Sequence, residues 1–211
     1  MKRNLLIAAA ALSAVTMGSA FAAQFTIDFE KNWDFSDGDV NEYYNGGIAA
    51  DGTSGANLGV FFVGVSGLSN DTSFTYYSNA PSMQGTAYAH TFATQDKAFM
   101  NVAAGVTNAL SFFYSSPSDA VGAIKAFSGL NGTGALLGAL DVVTNSSSDY
   151  NVWPQVAFAF SGIAHSFDLT GSANRVALDN ISAVPLPSAI ALLAPALIGF
   201  ASISRKKNSH G

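Results

Sequence analysis

The central part of this chain, residues 23–187, is interrupted every few residues by the turn formers Gly, Asn, Ser and Thr. The segments between these interruptions are short and rich in Val, Phe, Tyr and Thr. Strands need roughly four to eight residues, whereas helices need at least about ten, so this spacing favours strands. The pattern predicts an all-β fold, a single jelly-roll-like antiparallel β-sandwich of about ten short strands.

Strict alternation of apolar and polar residues supports this prediction. In the first segment, Phe25, Ile27 and Phe29 fall on one face, and Asp28 and Glu30 fall on the other. Successive side chains of a strand point to opposite faces, so the segment reads as a half-buried strand. Further strands are predicted at 58–63, 73–77, 86–92, 97–102, 109–114, 121–127, 135–143, 156–160, 164–169 and 176–181.

One of these segments, 135–143, also fits a short helix. Leu136, Leu137 and Leu140 recur at a spacing that both periods accommodate. The flanking glycines and the β-branched pair Val142-Val143 favour a strand. We therefore expect a hairpin, with residues 128–134 as its turn.

The first 22 residues have the layout of a secretory signal peptide. A basic start, Lys2-Arg3, precedes a short apolar run, and small residues end in Ala20-Phe21-Ala22. This order predicts cleavage by signal peptidase after Ala22. The apolar run is too short to remain as a membrane span, so we expect the following domain, residues 23–183, to be exported.

Residues 184–207 form a second sorting segment with three parts. Pro185 and Pro187 lie before about 17 apolar or small residues, near the lower limit for a transmembrane helix. The cluster Arg205-Lys206-Lys207 follows at once and predicts a cytoplasmic C-terminal end by the positive-inside rule. An anchor in the inner membrane that is never cut is the simpler alternative.

This tripartite tail resembles the PEP-CTERM sorting signal of Gram-negative bacteria, with Leu186 where that family usually has Glu. Membership implies recognition by an exosortase, cleavage near Pro187, and delivery to the cell surface or extracellular matrix. The body is similar to exosortase-substrate ectodomains, uncharacterised proteins with predicted jelly rolls. This similarity is carried by Tyr44-Asn45-Gly46-Gly47, by the glycine-rich segment 127–134 and by the closing segment 177–181.

Charge excludes one class of partner. All fourteen acidic residues lie in residues 23–187, against four basic residues there, which gives this part a formal charge of −10. Such a surface repels phosphates, so no nucleic-acid partner is expected. The chain has no cysteine, which excludes disulfides, thiol catalysis and cysteine metal sites.

Carboxylates suggest a structural calcium site, because Ca²⁺ takes six to eight oxygen ligands. Resemblance to jelly-roll carbohydrate-binding modules implies a site that joins a carboxylate of the first strand, Glu30, to one of the last, Asp179, with Asp28 nearby. The acidic loop 34–42 is a second arrangement of carboxylates without EF-hand spacing. Solvated acidic residues are the alternative interpretation for both.

Exposed aromatic rings suggest glycan binding, because a flat apolar ring stacks on the face of a sugar and Tyr or Trp adds a polar group. Tyr43, Tyr150 and Trp153 have loop-like contexts and are the candidates for contact with an extracellular polysaccharide. Packing of these rings in the core or at its rim is the alternative.

Catalysis finds little support in the sequence. His90 and His165 alternate with apolar neighbours, and no nucleophile elbow, zinc-protease motif or phosphate loop is present. We predict no catalytic residues and no enzyme activity. Three readings follow: a non-catalytic surface or matrix protein, a carbohydrate-binding module with or without calcium, and, with less support, a secreted glycan hydrolase.

Overall fold

A computed structural model describes residues 24–34, 36–69 and 77–183, and the described chain is all-β. Three short 3-10 turns interrupt the strands, at Tyr43–Asn45, Leu130–Gly132 and Thr170–Ser172, and the described residues contain no α-helix. The described residues form nine strands: β1 (Phe25–Ile27), β2 (Val60–Val63), β3 (Val65–Ser69), β4 (Gly85–Ala89), β5 (Phe99–Ser115), β6 (Ala120–Phe127), β7 (Leu136–Val142), β8 (Gln155–Asp168) and β9 (Ala177–Ala183).

All nine strands belong to one antiparallel sheet. The main order is β3-β4-β9-β5-β8-β6-β7, with β1 paired to β9 and β2 paired to β5. Strand β9 therefore has β1 and β4 on one edge and β5 on the other. The hydrogen-bonded order confirms the predicted all-β class, and the division into two packed sheets stays a prediction.

The two longest strands organise the sheet. Strand β5 pairs with β8 along most of its length, and its other edge is shared by β2 and β9. The β5–β8 register shifts between Asn101 and Val106 and again between Thr107 and Ala109. Such bulges bend and twist a long strand. The sequence predicted separate strands at 97–102 and 109–114, but both belong to the continuous strand β5. It likewise predicted separate strands at 156–160 and 164–169, and both belong to β8.

The main core lies beneath the apolar faces of these strands. Phe25, Ile27 and Phe29 are buried, while Asp28 and Glu30 between and beside them are exposed, as the alternation predicts. Fully buried side chains from β5 and β8 include Phe112, Phe158 and Phe167. This core replaces the disulfides that the chain lacks.

The structure confirms one of the local strand predictions and adds a strand that the sequence did not predict. The segment 135–143 is a strand in a hairpin with β6, so the helical alternative is wrong. Strand β3 was missed, because Gly64 allows the chain to start a new strand at once. The predicted strand 73–77 lies outside the described residues except for Tyr77, which is in a turn.

The predicted signal peptide and sorting segment also lie outside the described residues, and with them Ala22, Pro185, Pro187, Arg205, Lys206 and Lys207. Within residues 24–183 as described, no helix has the length and apolar character needed to cross a bilayer.

Candidate functional site

The candidate site lies on the part of the sheet formed by β3, β4 and β9, on the face turned away from the main core. Tyr88 of β4 pairs directly with Ala177 of β9, so both side chains share one face. Leu68 of β3 contributes to the same small apolar cluster as Ala177. The neighbouring residues Ala87 and Ala89 point the other way and are fully buried in the main core.

Three aromatic side chains from loops cover this face. Tyr77 lies in the turn before β4, and Tyr150 and Trp153 lie in the loop between β7 and β8. The ring centroids of Tyr77 and Tyr150 are 5.5 Å apart, and those of Tyr77 and Trp153 are 6.5 Å apart. Such tilted and edge-on contacts are favourable for aromatic rings. The indole N–H of Trp153 donates to the backbone carbonyl of Tyr150 at 2.8 Å, which fixes the indole relative to the loop backbone.

Hydrogen bonds hold this loop in place. The side chain of Asn145 accepts from the backbone N–H of Ser116 at 2.9 Å and donates to the carbonyl of Tyr114 at 3.2 Å. The backbone N–H of Asn151 donates to the hydroxyl of Ser146 at 2.9 Å. The loop that carries Tyr150 and Trp153 is therefore tied to the end of β5.

Tyr150 has an unusual backbone conformation. Its φ is +49°, in the left-handed region that residues other than glycine, asparagine and aspartate rarely adopt. Such a conformation costs on the order of 1–3 kcal/mol and persists where surrounding contacts hold it. Here the phenol hydroxyl donates to the carbonyl of Arg175 at 3.3 Å, and the ring packs on Tyr77.

These elements enclose a cavity of about 250 Å³. The wall is mostly aromatic and aliphatic, and Asn174 and Arg175 add polar groups at its exposed edge. The guanidinium of Arg175 makes no hydrogen bond or ion pair with any residue that the structure describes. The residues that line the cavity are Leu68, Tyr77, Tyr88, Tyr150, Asn174, Arg175, Val176 and Ala177.

The tyrosine hydroxyls of the cavity remain protonated at neutral pH. Burial raises the pKa of Tyr77 and of Tyr150 above the ordinary value of 10. Burial also raises the pKa of Tyr88, and the nearby charge of Asp39 acts in the same direction. Each phenol can therefore both donate and accept a hydrogen bond.

The three carboxylates predicted to bind calcium lie around the junction of β1, β4 and β9. Asp179 is fully buried, and its two oxygens accept from the backbone N–H groups of Ser82 at 2.8 Å and Asn180 at 2.7 Å. Glu30 Oε1 accepts from the N–H groups of Gln84 at 2.6 Å and Gly85 at 3.2 Å.

The close approach of the backbone at Phe29 to the start of β4 explains why residue 85 is a glycine. A Cβ at Gly85 would lie 2.0 Å from the carbonyl oxygen of Phe29, which no side chain can tolerate. Asp28 Oδ1 accepts from the N–H of Glu30 at 3.2 Å and so closes a local turn. Glu30 therefore joins the residues that follow β1 to Gln84 and Gly85, and Asp179 joins β9 to Ser82.

Asp179 carries the clearest electrostatic perturbation. Burial raises its pKa from 3.8 to about 7, and the charges of Glu30 and Asp28 add to this effect against the backbone hydrogen bonds. Within the residues that the structure describes, no three His, Cys, Asp or Glu side chains are grouped closely enough to hold a metal ion. The calcium site stays a prediction.

The third predicted glycan ligand, Tyr43, lies elsewhere. It packs against the main core, with its ring centroid 5.3 Å from that of Trp33 and 4.8 Å from that of Tyr44. A Cβ at Gly55 would lie 2.3 Å from the Tyr43 ring, so the backbone there closes over it. Lys31, which forms an ion pair with Asp51, lies 4.3 Å above the Trp33 ring.

The structure therefore brings together two of the three predicted aromatic ligands and separates the third. The sequence missed the pairing of Tyr150 and Trp153 with Tyr77 and Arg175, because these contacts join distant parts of the chain. In the acidic loop 34–42, Asp34 Oδ1 accepts local hydrogen bonds from the Ser36 N–H at 2.8 Å and the Ser36 hydroxyl at 2.7 Å, whereas Asp39 bonds to distant residues.

The chain matches no protein-family model and no curated protein. Among solved structures it is similar to the isomalto-dextranase of Arthrobacter globiformis T6 complexed with panose, at 11% identity and a TM-score of 0.38. That alignment covers 77% of this chain and 32% of the enzyme, so the chain spans about a third of its length. A likeness at this TM-score carries no argument about function.

Proposed function

We propose that this chain is an exported, non-catalytic β-protein that binds glycans through the cavity lined by Tyr77, Tyr88 and Tyr150. The observation that carries the proposal is the combination of three neutral phenols with one guanidinium around a small open cavity. Rings supply the flat apolar surface on which a sugar packs, and the hydroxyls and Arg175 supply hydrogen bonds to its oxygens. The sheet would pack as a jelly-roll-like sandwich that presents this cavity.

Packing within the protein does not by itself require polar groups at the edge of this cavity. The guanidinium of Arg175 is exposed at this edge and has no partner among the described residues, so it is available to a ligand. Ligand sites commonly combine an apolar wall with a few converging polar groups, and this cavity has that composition. Its volume of about 250 Å³ suits one sugar ring or a similar small polar ligand.

The test is to measure binding of the purified full chain to a glycan array and then, by calorimetry, to each glycan that is retained. Tyr150→Ala should weaken binding at least tenfold, which corresponds to about 1.4 kcal/mol. Trp153→Ala should also weaken it, because the indole supports the Tyr150 loop. Tyr43→Ala is the matched control, since it removes a ring of the main core wall, and it should leave the affinity unchanged once folding is verified by circular dichroism.

Two other outcomes would redirect the proposal. Equal loss in Tyr43→Ala and Tyr150→Ala would show that the cavity is not the binding site. Release of reducing sugar from a retained glycan, abolished by one carboxylate substitution, would favour the secreted hydrolase. Complete absence of glycan binding would favour a surface or matrix protein whose body has another partner.

Export and processing form the second part of the proposal. Signal peptidase would cut after Ala22, and an exosortase would cut near Pro187 and remove the membrane span with Arg205, Lys206 and Lys207. Its support is the order of basic, apolar and small residues at the two ends. Mass spectrometry of the mature C-terminus, with and without the host's exosortase, tests it. A tail that still carries Arg205–Lys207 in both strains would refute processing and leave an uncut membrane anchor.

A further inference from the structure

A second cavity, of about 210 Å³, lies next to the first and shares Tyr88 as a common wall. Its character is different. Two carboxylates, Asp37 and Asp39, line it together with Ser66, His90 and Phe92. Of the residues that line this second cavity, the proposed glycan site includes only Tyr88.

Rings on one face of the chain connect the two cavities. Tyr88, His90 and Phe92 alternate with residues that face the other way, as in an extended strand. The centroid of Tyr88 is 5.8 Å from that of His90, and the centroid of His90 is 4.9 Å from that of Phe92. Three consecutive rings at these separations extend beyond the dimensions of a single sugar ring. Tyr88 and Phe92, at the two ends of the row, therefore offer stacking surface for more than one unit, while His90 between them is buried.

Phe92 is the most exposed member of this row. Its side chain is 60% exposed, whereas His90 beneath it is only 5% exposed. An isolated exposed apolar residue needs no explanation in itself. Phe92 differs in that it rests on a ring which is buried and held by a hydrogen bond. It is thus a fixed apolar platform at the edge of a polar cavity.

Asp39 supplies the polar side of this arrangement. Its Oδ1 accepts from the Ser66 hydroxyl at 2.5 Å and from His90 Nε2 at 2.8 Å. A carboxylate can only accept, so His90 Nε2 is the donor of this hydrogen bond. Asp39 Oδ2 makes no hydrogen bond with any residue that the structure describes, and the side chain is 43% exposed. A held carboxylate with one oxygen available is well suited to accept hydrogen bonds from sugar hydroxyls.

Resting on the proposed function, we infer that the second cavity binds a further sugar unit, so that the complete site takes a neutral oligosaccharide rather than a monosaccharide. Asp37 and Asp39 exclude a carboxylate or phosphate group at this position by repulsion, and the described lining of the cavity includes no lysine or arginine. Its ligand is therefore rich in hydroxyl groups and without negative charge. Tyr88 contacts the ligand in both cavities.

The experiment measures the affinity of the purified full chain for cello-, manno- and xylo-oligosaccharides of one to four units by calorimetry. We expect one series to bind at least tenfold more tightly at three units than at one. Phe92→Ala and Asp39→Asn should lower the affinity for the trimer to near that for the monomer and leave the monomer unchanged. The amide of the Asp39→Asn variant still accepts from Ser66 and His90 through its oxygen, so the fold is preserved.

Val121→Ala is the matched control for Phe92→Ala, because Val121 is an exposed apolar residue of β6 that lines neither cavity. Its trimer affinity should equal that of the unmodified chain. Monomer binding that depends on Tyr150 but does not increase with length would overturn this inference and leave the proposed function intact. A length dependence that survives Phe92→Ala and Asp39→Asn would also overturn it. Failure of all three series to bind would overturn this inference, and absence of binding to every glycan on the array would overturn both.

Discussion

The carboxylates around the junction of β1, β4 and β9 and the rings around β4 are both candidate sites, and they differ in how many of their polar groups the protein itself satisfies. Asp179 and Glu30 accept four backbone N–H bonds between them. The guanidinium of Arg175 and one carboxylate oxygen of Asp39 have no partner among the described residues. Polar groups that the fold already satisfies hold it together, whereas groups that remain available favour a ligand.

Strand β9 contributes to both regions. Asp179 belongs to the carboxylate group, and Ala177 forms part of the floor of the tyrosine-lined cavity. The two regions can therefore be separated only by measurements that distinguish stability from binding. The four predictions that follow do so, in order of decreasing expected effect.

The largest effect concerns pH. The folded pKa of Asp179, about 7, lies above its ordinary value of 3.8, so the folded protein binds more protons than the unfolded chain between these values. The stabilisation that comes from proton binding at Asp179 is fully present below about pH 4 and is lost as pH rises through 7. Linkage sets its ceiling at about 4 kcal/mol. Urea unfolding of the full chain between pH 4 and 8 should show this loss.

The control for this prediction isolates Asp179 from the other carboxylates. The Asp179→Asn variant should lack the pH-dependent stability that comes from protonation of Asp179. The difference in unfolding free energy between this variant and the unmodified chain should therefore change with pH. Asp96→Asn, a substitution at an exposed carboxylate, should run parallel to the unmodified chain. Parallel curves for Asp179→Asn as well would show that the carboxylate is not perturbed by burial.

Calcium provides the sharpest challenge to the view that these carboxylates are purely structural. If Glu30, Asp28 and Asp179 bind Ca²⁺, a concentration one hundred times the Kd should stabilise the full chain by about 2.7 kcal/mol. The measurement is the melting temperature with calcium and with a chelator. The rise should vanish in Asp179→Asn and persist in Asp37→Asn. An unchanged melting temperature would leave these carboxylates with a structural role alone.

The sequence predicted local features well where they depend on alternation. The burial of Phe25, Ile27 and Phe29 and the hairpin of β6 and β7 both follow from patterns of fewer than ten residues. It predicted two strands where β5 is one, because Gly105 and its neighbours resemble a turn. A bulge and a turn require the same backbone freedom, and only pairing with β8 distinguishes them.

The candidate site was predictable only in part. Tyr150 and Trp153 stood out by their loop context, but their joint cavity depends on Arg175 and on Tyr77, which are far away in sequence. The sequence predicted a strand over 86–92, but which face carries Tyr88, His90 and Phe92 depends on which face of the segment packs on the main core. Alternation shows that two faces exist and does not show which one is covered.

A smaller effect on stability is expected at Glu30. Glu30→Ala removes the acceptor for the N–H groups of Gln84 and Gly85, and because Glu30 is exposed, water replaces part of this interaction. We expect a loss of about 1–2 kcal/mol in the free energy of unfolding. Glu42→Ala is the matched control, since this exposed glutamate accepts from the side chain of Asn45, and its cost should be about 0.5 kcal/mol or less. Equal costs would mean that Glu30 does not join β1 to the segment before β4.

The smallest effect on stability is expected where the proposed effect on binding is large. Phe92 is 60% exposed, so Phe92→Ala should change the free energy of unfolding by about 0.5 kcal/mol or less, as measured by urea titration. A loss of 2 kcal/mol or more, of the size of a core truncation, would assign the ring a packing role and weaken the distinction between the two regions. A small change in the free energy of unfolding, combined with lost affinity for the longer oligosaccharides, would strengthen the distinction between the two regions. The cost of keeping a large apolar ring in water would then be explained by the ligand that covers it.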